Sequence, residues 1–147
     1  KTDNPLFRYY IKLYENNKSI YFLQKYNQEK ATKKIYCYNH SFINAISHTK
    51  KFKNEFSNLV FLELINKHND IYYLDNIDFY IKSKNIAIVP IPFFNTFLTG
   101  NLIKKIIKSA QELNINEINI ITISNNEKIS DPKLKIIVLP FYEWALS

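Results

Sequence analysis

Residues 70–91 read DIYYLDNIDFYIKSKNIAIVPI. Three runs rich in β-branched and aromatic residues, 70–74, 77–81 and 86–91, are separated by Asp75-Asn76 and by the polar segment 82–85. The pattern predicts three short strands in a meander. Ser83-Lys84-Asn85 is a tight-turn sequence, so the last two runs should form a hairpin. Upstream, NEFSNLVFLELINK (54–67) predicts a helix with Phe56, Leu59, Val60, Glu63, Leu64 and Lys67 on one face and residues 61–65 flanking it. It is apolar over more than half its circumference, which places it in the interior. Downstream, Pro90, Pro92 and Thr99-Gly100 bracket an irregular loop. NLIKKIIKSAQEL (101–113) then predicts an amphipathic helix, with Leu102, Ile103, Ile106, Ile107, Ala110 and Leu113 inward and Lys104, Lys105, Lys108 and Glu112 outward. Strands are expected at 117–123 and 135–139, joined by a polar loop at 124–134, and the ending PFYEWALS carries Trp144 as an anchor. From residue 50 the order is α-β-β-β-α-β-β, an α/β core with a mixed sheet flanked by helices. The helix at 101–113 should act as a crossover between two parallel strands.

The N-terminal part reads as an appendage. PLFRYYIKLYE (5–15) places Leu6, Tyr9, Tyr10, Leu13 and Tyr14 at helical spacing, with Pro5 in the first turn. Residues 19–26 and 34–38 read as strands around a polar loop, and 40–48 as a short helix. A helix with one hairpin is marginal alone, so the expected division is an appendage at 1–33 and an α/β domain at 34–147.

Composition narrows the chemistry. One Gly in 147 residues rules out a Walker A loop, which needs two, and a dinucleotide fingerprint, which needs about three. The single Cys37 excludes an intrachain disulfide and a multi-cysteine zinc site, and predicts a reducing, cytoplasmic setting. No apolar run reaches the roughly 18 residues of a spanning helix, so no membrane partner is expected. The chain lacks a starting Met, which predicts a piece of a longer protein. Residues 1–53 hold 11 Lys and Arg against 3 Asp and Glu, a balance of +8, whereas 54–147 hold 9 against 10, a balance of −1. Lysines interleaved with aromatic residues can contact phosphates and stack bases. That makes Lys33, Lys34, Lys50, Lys51 and Lys53 candidate contacts to DNA or RNA, the alternative being a solvated face over an aromatic core.

Four stretches together resemble a known family: KIYCYNHSFINAIS at 34–47, FSNLVFLEL at 56–64, IYYLDNIDFYI at 71–81 and the terminal PFYEWALS. They are similar to the C-terminal domain of unknown function that follows the P-loop ATPase and winged-helix parts of predicted AAA-type ATPases of bacteria and archaea. The resemblance covers roughly residues 34–147, and the segments at 5–15 and 19–26 resemble the tail of the winged helix. It implies a restriction-endonuclease-like PD-(D/E)XK fold. It also implies an upstream ATPase module, in keeping with the lack of a phosphate loop in this chain.

Nucleases of that fold need several carboxylates to hold Mg²⁺ and a Lys to position water. By resemblance Asp78 matches the metal-binding Asp, the alternative being a solvated Asp at a strand end. The family's helix Glu falls on Ser57, its second Glu on Glu63, and its Glu-x-Lys pair on Pro90 and Pro92. One group of about four remains, so the resemblance implies a scaffold without nuclease activity and without a cofactor. Mg²⁺ would enter only if the nuclease reading held. The expected role is binding or assembly with the ATPase module or a protein partner. Phe93, Phe94 and Phe97 in the loop at 92–99 are a candidate interaction patch, or else core plugs. His40, His48, His68 and Cys37 are too few and too scattered for a zinc site.

Overall fold

The computed structural model describes residues 20–38 and 52–147, and their side chains apart from those of 96–98. The described elements are β1 (Ile20–Leu23), β2 (Lys34–Cys37), α1 (Phe52–Lys67), β3 (Ile71–Leu74), β4 (Ile77–Ile81), β5 (Ile86–Pro90), α2 (Thr96–Glu112), β6 (Glu117–Thr122), β7 (Glu127–Ile129), β8 (Lys135–Pro140) and α3 (Phe141–Leu146). The helices read at 5–15 and 40–48 lie outside the described residues.

Six strands form one mixed sheet in the order β3-β4-β5-β6-β8-β7. The meander β3-β4-β5 is antiparallel, β5, β6 and β8 run parallel, and β7 returns antiparallel on the edge. Parallel neighbours cannot be joined by a tight turn, and α2 supplies the crossover from β5 to β6 that the sequence predicts. The alternation of side chains sorts the core into two faces. Ala87, Val89, Ile118, Ile120, Ile136 and Val138 pack with Ile103, Ile106 and Ala110 of α2. Phe79, Ile81, Ile88 and Ile121 pack with Phe56, Val60, Phe61 and Leu64 of α1 and Trp144 of α3. The molecule is thus helix, sheet and helix in three layers.

Turns in a chain with so little glycine use asparagine. Among the described residues Asn27, Asn76, Asn85 and Asn114 are the non-glycine positions with positive φ, at 57°, 63°, 54° and 52°. Asn is among the side chains that tolerate this region best. Asn114 ends α2 in a two-bond motif: its N–H donates to Gln111 O (3.1 Å), and the N–H of Ile115 reaches Ala110 O (2.9 Å). Ile115 and Ala110 are both buried, the apolar contact that accompanies this cap.

Three expectations change. The helix read at 101–113 begins at Thr96, because Asn95 O accepts both the Thr99 N–H (2.9 Å) and the Thr99 hydroxyl (2.5 Å), continuing the turn through Gly100. The segment at 92–99 is therefore half helix. The polar loop at 124–134 contains β7, a three-residue charged edge strand of the kind that discourages further pairing. The buried face of α1 is Phe56, Ser57, Asn58, Val60, Phe61 and Leu64, rotated from the stripe through Leu59 and Glu63. With apolar and polar residues both scattered round the helix, periodicity does not choose the face. The strands read at 19–26 and 34–38 form the expected hairpin: β1 pairs antiparallel with β2, from Ile20↔Cys37 to Leu23↔Lys34. This hairpin is fastened to the outer edge of β3, where Tyr26 N–H donates to Tyr73 O and Tyr73 N–H to Gln24 O, both at 3.0 Å.

Candidate functional site

Asp78 owes its orientation to a β-bulge. Tyr72 pairs with Tyr80 and Leu74 with Ile77, so Tyr73 alone stands opposite Asp78 and Phe79. Two residues against one break the alternation. Ile77 joins Tyr80 on the α2 face, Phe79 stays on the α1 face, and the extra residue Asp78 turns toward the hairpin beside it. The other side of β4 lets go at the same point. Its ladder with β5 covers Phe79↔Ile88 to Ile81↔Ile86 and stops short of Asp78. N–H groups along β5 alternate between its neighbours, and Ile91 N–H goes to Ile121 O on β6 (2.8 Å). The missing N–H of Pro90 therefore falls on the β4 side, where no ladder bond is made, so a proline is tolerated in a central strand.

The hairpin brings two partners to Asp78. The Lys34 ammonium lies 3.8 Å from its carboxylate, too far for a hydrogen bond, and also sits 4.7 Å from the centre of the Tyr73 ring. The Tyr73 hydroxyl donates to the Thr32 carbonyl, holding the loop before β2. Tyr36 stacks on Phe61 (4.2 Å) and tilts against Phe79 (5.3 Å). Burial and the negative charge of Asp78 hold the Tyr36 phenol well above its ordinary range. For Asp78, burial raises the carboxyl above the usual carboxylate range, and the fields of Lys34 and Lys53 and its own backbone N–H offset this only in part.

A carboxyl whose pKa rises on folding holds its proton more tightly in the native state. Its stabilising contribution is full below the unfolded value of about 3.9 and is lost as pH climbs through the native value. Asp78→Asn keeps the shape and removes the ionisation. The variant should be more stable than the parent near neutral pH, with the advantage vanishing as pH falls toward about 3. Urea midpoints across that range measure it, and equal midpoints at neutral pH would contradict the assignment.

The other described polar and charged groups do not converge on Asp78. Cys37 is buried and its thiol is raised by burial, which suits a core residue and not a nucleophile. Glu63 pairs with Lys67 (3.1 Å), which also donates to Ala145 O (2.7 Å) and so ties α1 to α3. Lys82 and Lys84 lie in the exposed β4–β5 turn, which Asp70 latches by accepting the Ser83 N–H and hydroxyl. His68 follows α1, its imidazole lowered by burial and by Lys84 and Lys67, against a raising effect of Asp70. Lys33 lines a separate cleft of about 610 Å³ between β1 and β3, with Tyr21, Gln24 and Tyr72. Lys50, Lys51, His40 and His48 lie outside the described residues. The three phenylalanines part company. Phe94 is buried in the α2-face core, Phe93 is exposed, and the side chain of Phe97 lies outside the described set.

No family model, curated protein or solved structure matches this chain.

Among the described residues no three His, Cys, Asp or Glu side chains converge into a set that could hold a metal. Among the described residues, the donor set at Asp78 is one carboxylate facing the Lys34 ammonium, which does not fit the oxygen-rich shell of Mg²⁺. Among the described residues, no helix is long and apolar enough to cross a membrane. Two contributors to the site escape sequence reasoning, Tyr73 and the bulge itself. The only local hint of the bulge is a charged residue between Ile77 and Phe79 in a strand that is otherwise apolar or aromatic.

Proposed function

We propose that this chain is a non-catalytic binding or assembly domain on a restriction-endonuclease-like scaffold, of the kind that follows the ATPase module in AAA-type ATPases. The observation that carries the reading is the company of Asp78. Asp78, which the resemblance sets at the metal position, is faced by Lys34 and influenced by Lys53, and the resemblance sets Pro90 where a nuclease carries a carboxylate. The Lys34 ammonium and the field of Lys53 oppose the approach of a divalent cation. Losing one member of a cooperating constellation removes most of its activity. The meander, the crossover helix and the parallel strands support the scaffold part of the reading, and the resemblance of residues 34–147 supports the ATPase context.

The test is cleavage. The chain, incubated with supercoiled plasmid and with single-stranded RNA in Mg²⁺ or Mn²⁺, should leave both intact, and Asp78→Ala should behave identically. Metal-dependent cleavage that Asp78→Ala abolishes would overturn the proposal. The assembly part is read from the solution mass of the chain alone and mixed with its ATPase module.

A further inference from the structure

The hairpin and the sheet part company on one side of Tyr73. At Lys25↔Tyr73 the two run parallel and are bonded through Gln24 O and the Tyr26 N–H. Regular parallel pairing would next join Leu23 to Ile71, through the Ile71 N–H to Phe22 O and the Gln24 N–H to Ile71 O. Among the described residues neither bond is made, and the strands splay into the cleft of about 610 Å³ between β1 and β3. Both walls turn backbone groups toward it. Cys37 bonds its N–H and C=O to Asn58. Ile20↔Cys37 is therefore a pair that does not bond across the hairpin, and so, two residues on, is Phe22↔Ile35. The N–H and C=O of Ile20 and Phe22 thus face away from β2. On the other wall the Lys82 N–H donates to Asp70 O (3.2 Å). That makes Asp70 and Lys82 a bonded pair and Ile71↔Ile81 a non-bonded one, so the N–H and C=O of Ile71 face away from β4.

We propose that this cleft receives an extended segment of a protein partner, which adds as a strand between β1 and β3 and carries an acidic residue toward Lys33. It rests on the reading of the chain as a binding domain and names the partner's chemistry. Two strand edges that face each other across a gap offer ladder bonds to both sides of a third strand. Main-chain bonds give such additions their affinity, and the neighbouring side chains give them selectivity. β1 is four residues long, so about four residues of the segment, roughly 13 Å, lie between the walls. Tyr21 and Ile71 pack with the α1-face core and Tyr72 with the α2-face core, so alternate side chains of the segment meet apolar surface on either face. Among the described residues that line the cleft, Lys33 is the one cation and there is no acid. The edges themselves point the same way. Free edges are usually short or charged, as β7 (EKI) is, whereas β1 (IYFL) and β3 (IYYL) carry no charge.

The test is fluorescence anisotropy of the 147-residue chain with a labelled, end-capped peptide, Glu-Val-Thr-Val-Thr-Val-Glu, followed by amide hydrogen exchange of the complex. Binding is expected below about 1 mM. In the free chain the Phe22 and Ile71 amides should exchange quickly, and that of Tyr21, which bonds across the hairpin, slowly. The peptide should slow Phe22 and Ile71 by about tenfold or more. N-methylation of alternate peptide residues removes the donors toward one wall and should weaken binding about tenfold. Phe22→Pro removes an outward N–H and spares the bonds to β2, so it should weaken binding more than Phe22→Ala does. Lys33→Glu should reverse the preference, toward a peptide flanked by lysine. Slow exchange at Tyr21 shows that each variant keeps the hairpin. No binding up to about 1 mM, Phe22 and Ile71 amides already slow in the free chain, or affinity untouched by both N-methylation and Phe22→Pro overturns the proposal. Self-association abolished by Phe22→Pro without peptide binding also overturns it, in favour of a second copy. Cleavage of plasmid or RNA would instead sink the non-catalytic reading while leaving the strand site standing.

Discussion

Asn58→Ala should lower stability by about 2–4 kcal/mol, a large share of the 5–15 kcal/mol that holds a domain of ordinary size together. Asn58 lies on the buried face of α1, 2% exposed. Its amide closes a two-bond bridge with one residue of the hairpin. The Cys37 N–H donates to Asn58 Oδ1 and Asn58 Nδ2 donates to Cys37 O, both at 2.8 Å. One side chain thus takes up both the N–H and the C=O that Cys37 turns away from β1. Alanine leaves a donor and an acceptor buried without partners, each costing roughly 1–3 kcal/mol. For a chain of this length the midpoint of thermal unfolding should fall by on the order of 5–15 °C. Asn58→Asp separates the arms of the bridge: it keeps an acceptor for the Cys37 N–H, offers no donor to Cys37 O and brings a charge into the interior, so it should be no better than alanine. A second readout follows from Cys37, which is 5% exposed. If the bridge holds the hairpin down, its loss should speed labelling of this thiol by a disulfide reagent. A stability change under about 1 kcal/mol with unchanged labelling would show that the bridge does not hold the hairpin.

The same residue shows what could be read from the sequence and what could not. The meander was legible because Asp75-Asn76 and Ser83-Lys84-Asn85 interrupt strand-like runs, and the structure puts Asn76 and Asn85 at positive φ in those turns. The inward face of α2 was legible because its apolar residues recur at helical spacing, and Ile103, Ile106 and Ala110 are buried as that spacing requires. Leu113 was not, since it lies past the helix end and is 39% exposed. The facing of α1 was hidden for the opposite reason. A helix whose apolar and polar residues are scattered round it carries no phase, and Asn58, the polar residue that fixes it, looks like a solvated position until β2 is placed against it. The candidate site was legible in kind and not in geometry. Asp78 could be singled out as a charge amid strand residues, and Lys34 as one basic residue among several. Their meeting depends on a bulge, which no local pattern announces, and on a hairpin far upstream in the chain.

Phe79→Ala should be the most damaging change in the core, at about 3–5 kcal/mol. Phe79 is fully buried and forms the floor on which two separate parts of the chain converge. Its ring lies 5.8 Å from Phe61 of α1 and 5.3 Å from Tyr36 of β2, and these two stack on each other at 4.2 Å. Tyr21 of β1 closes edge-on against Phe61 at 5.7 Å. The cavity left by alanine would open between the sheet, α1 and the hairpin, and the rigid rings around it collapse poorly into the space. Phe79→Leu, which keeps much of the volume, should cost markedly less. The loss should also fall unevenly. The hairpin meets the sheet through this ring cluster and the edge bonds at Tyr73, so hydrogen exchange should accelerate in residues 20–37 more than in β6 or β8, which pack on each other beyond the cavity. Lys34 would loosen with the hairpin, and Asp78 would regain water. Its carboxyl should then titrate closer to its ordinary range in the variant, a change that carboxylate NMR detects. A native-like Asp78 titration in Phe79→Ala would mean that the bulge alone, without the hairpin, sets the environment of the site.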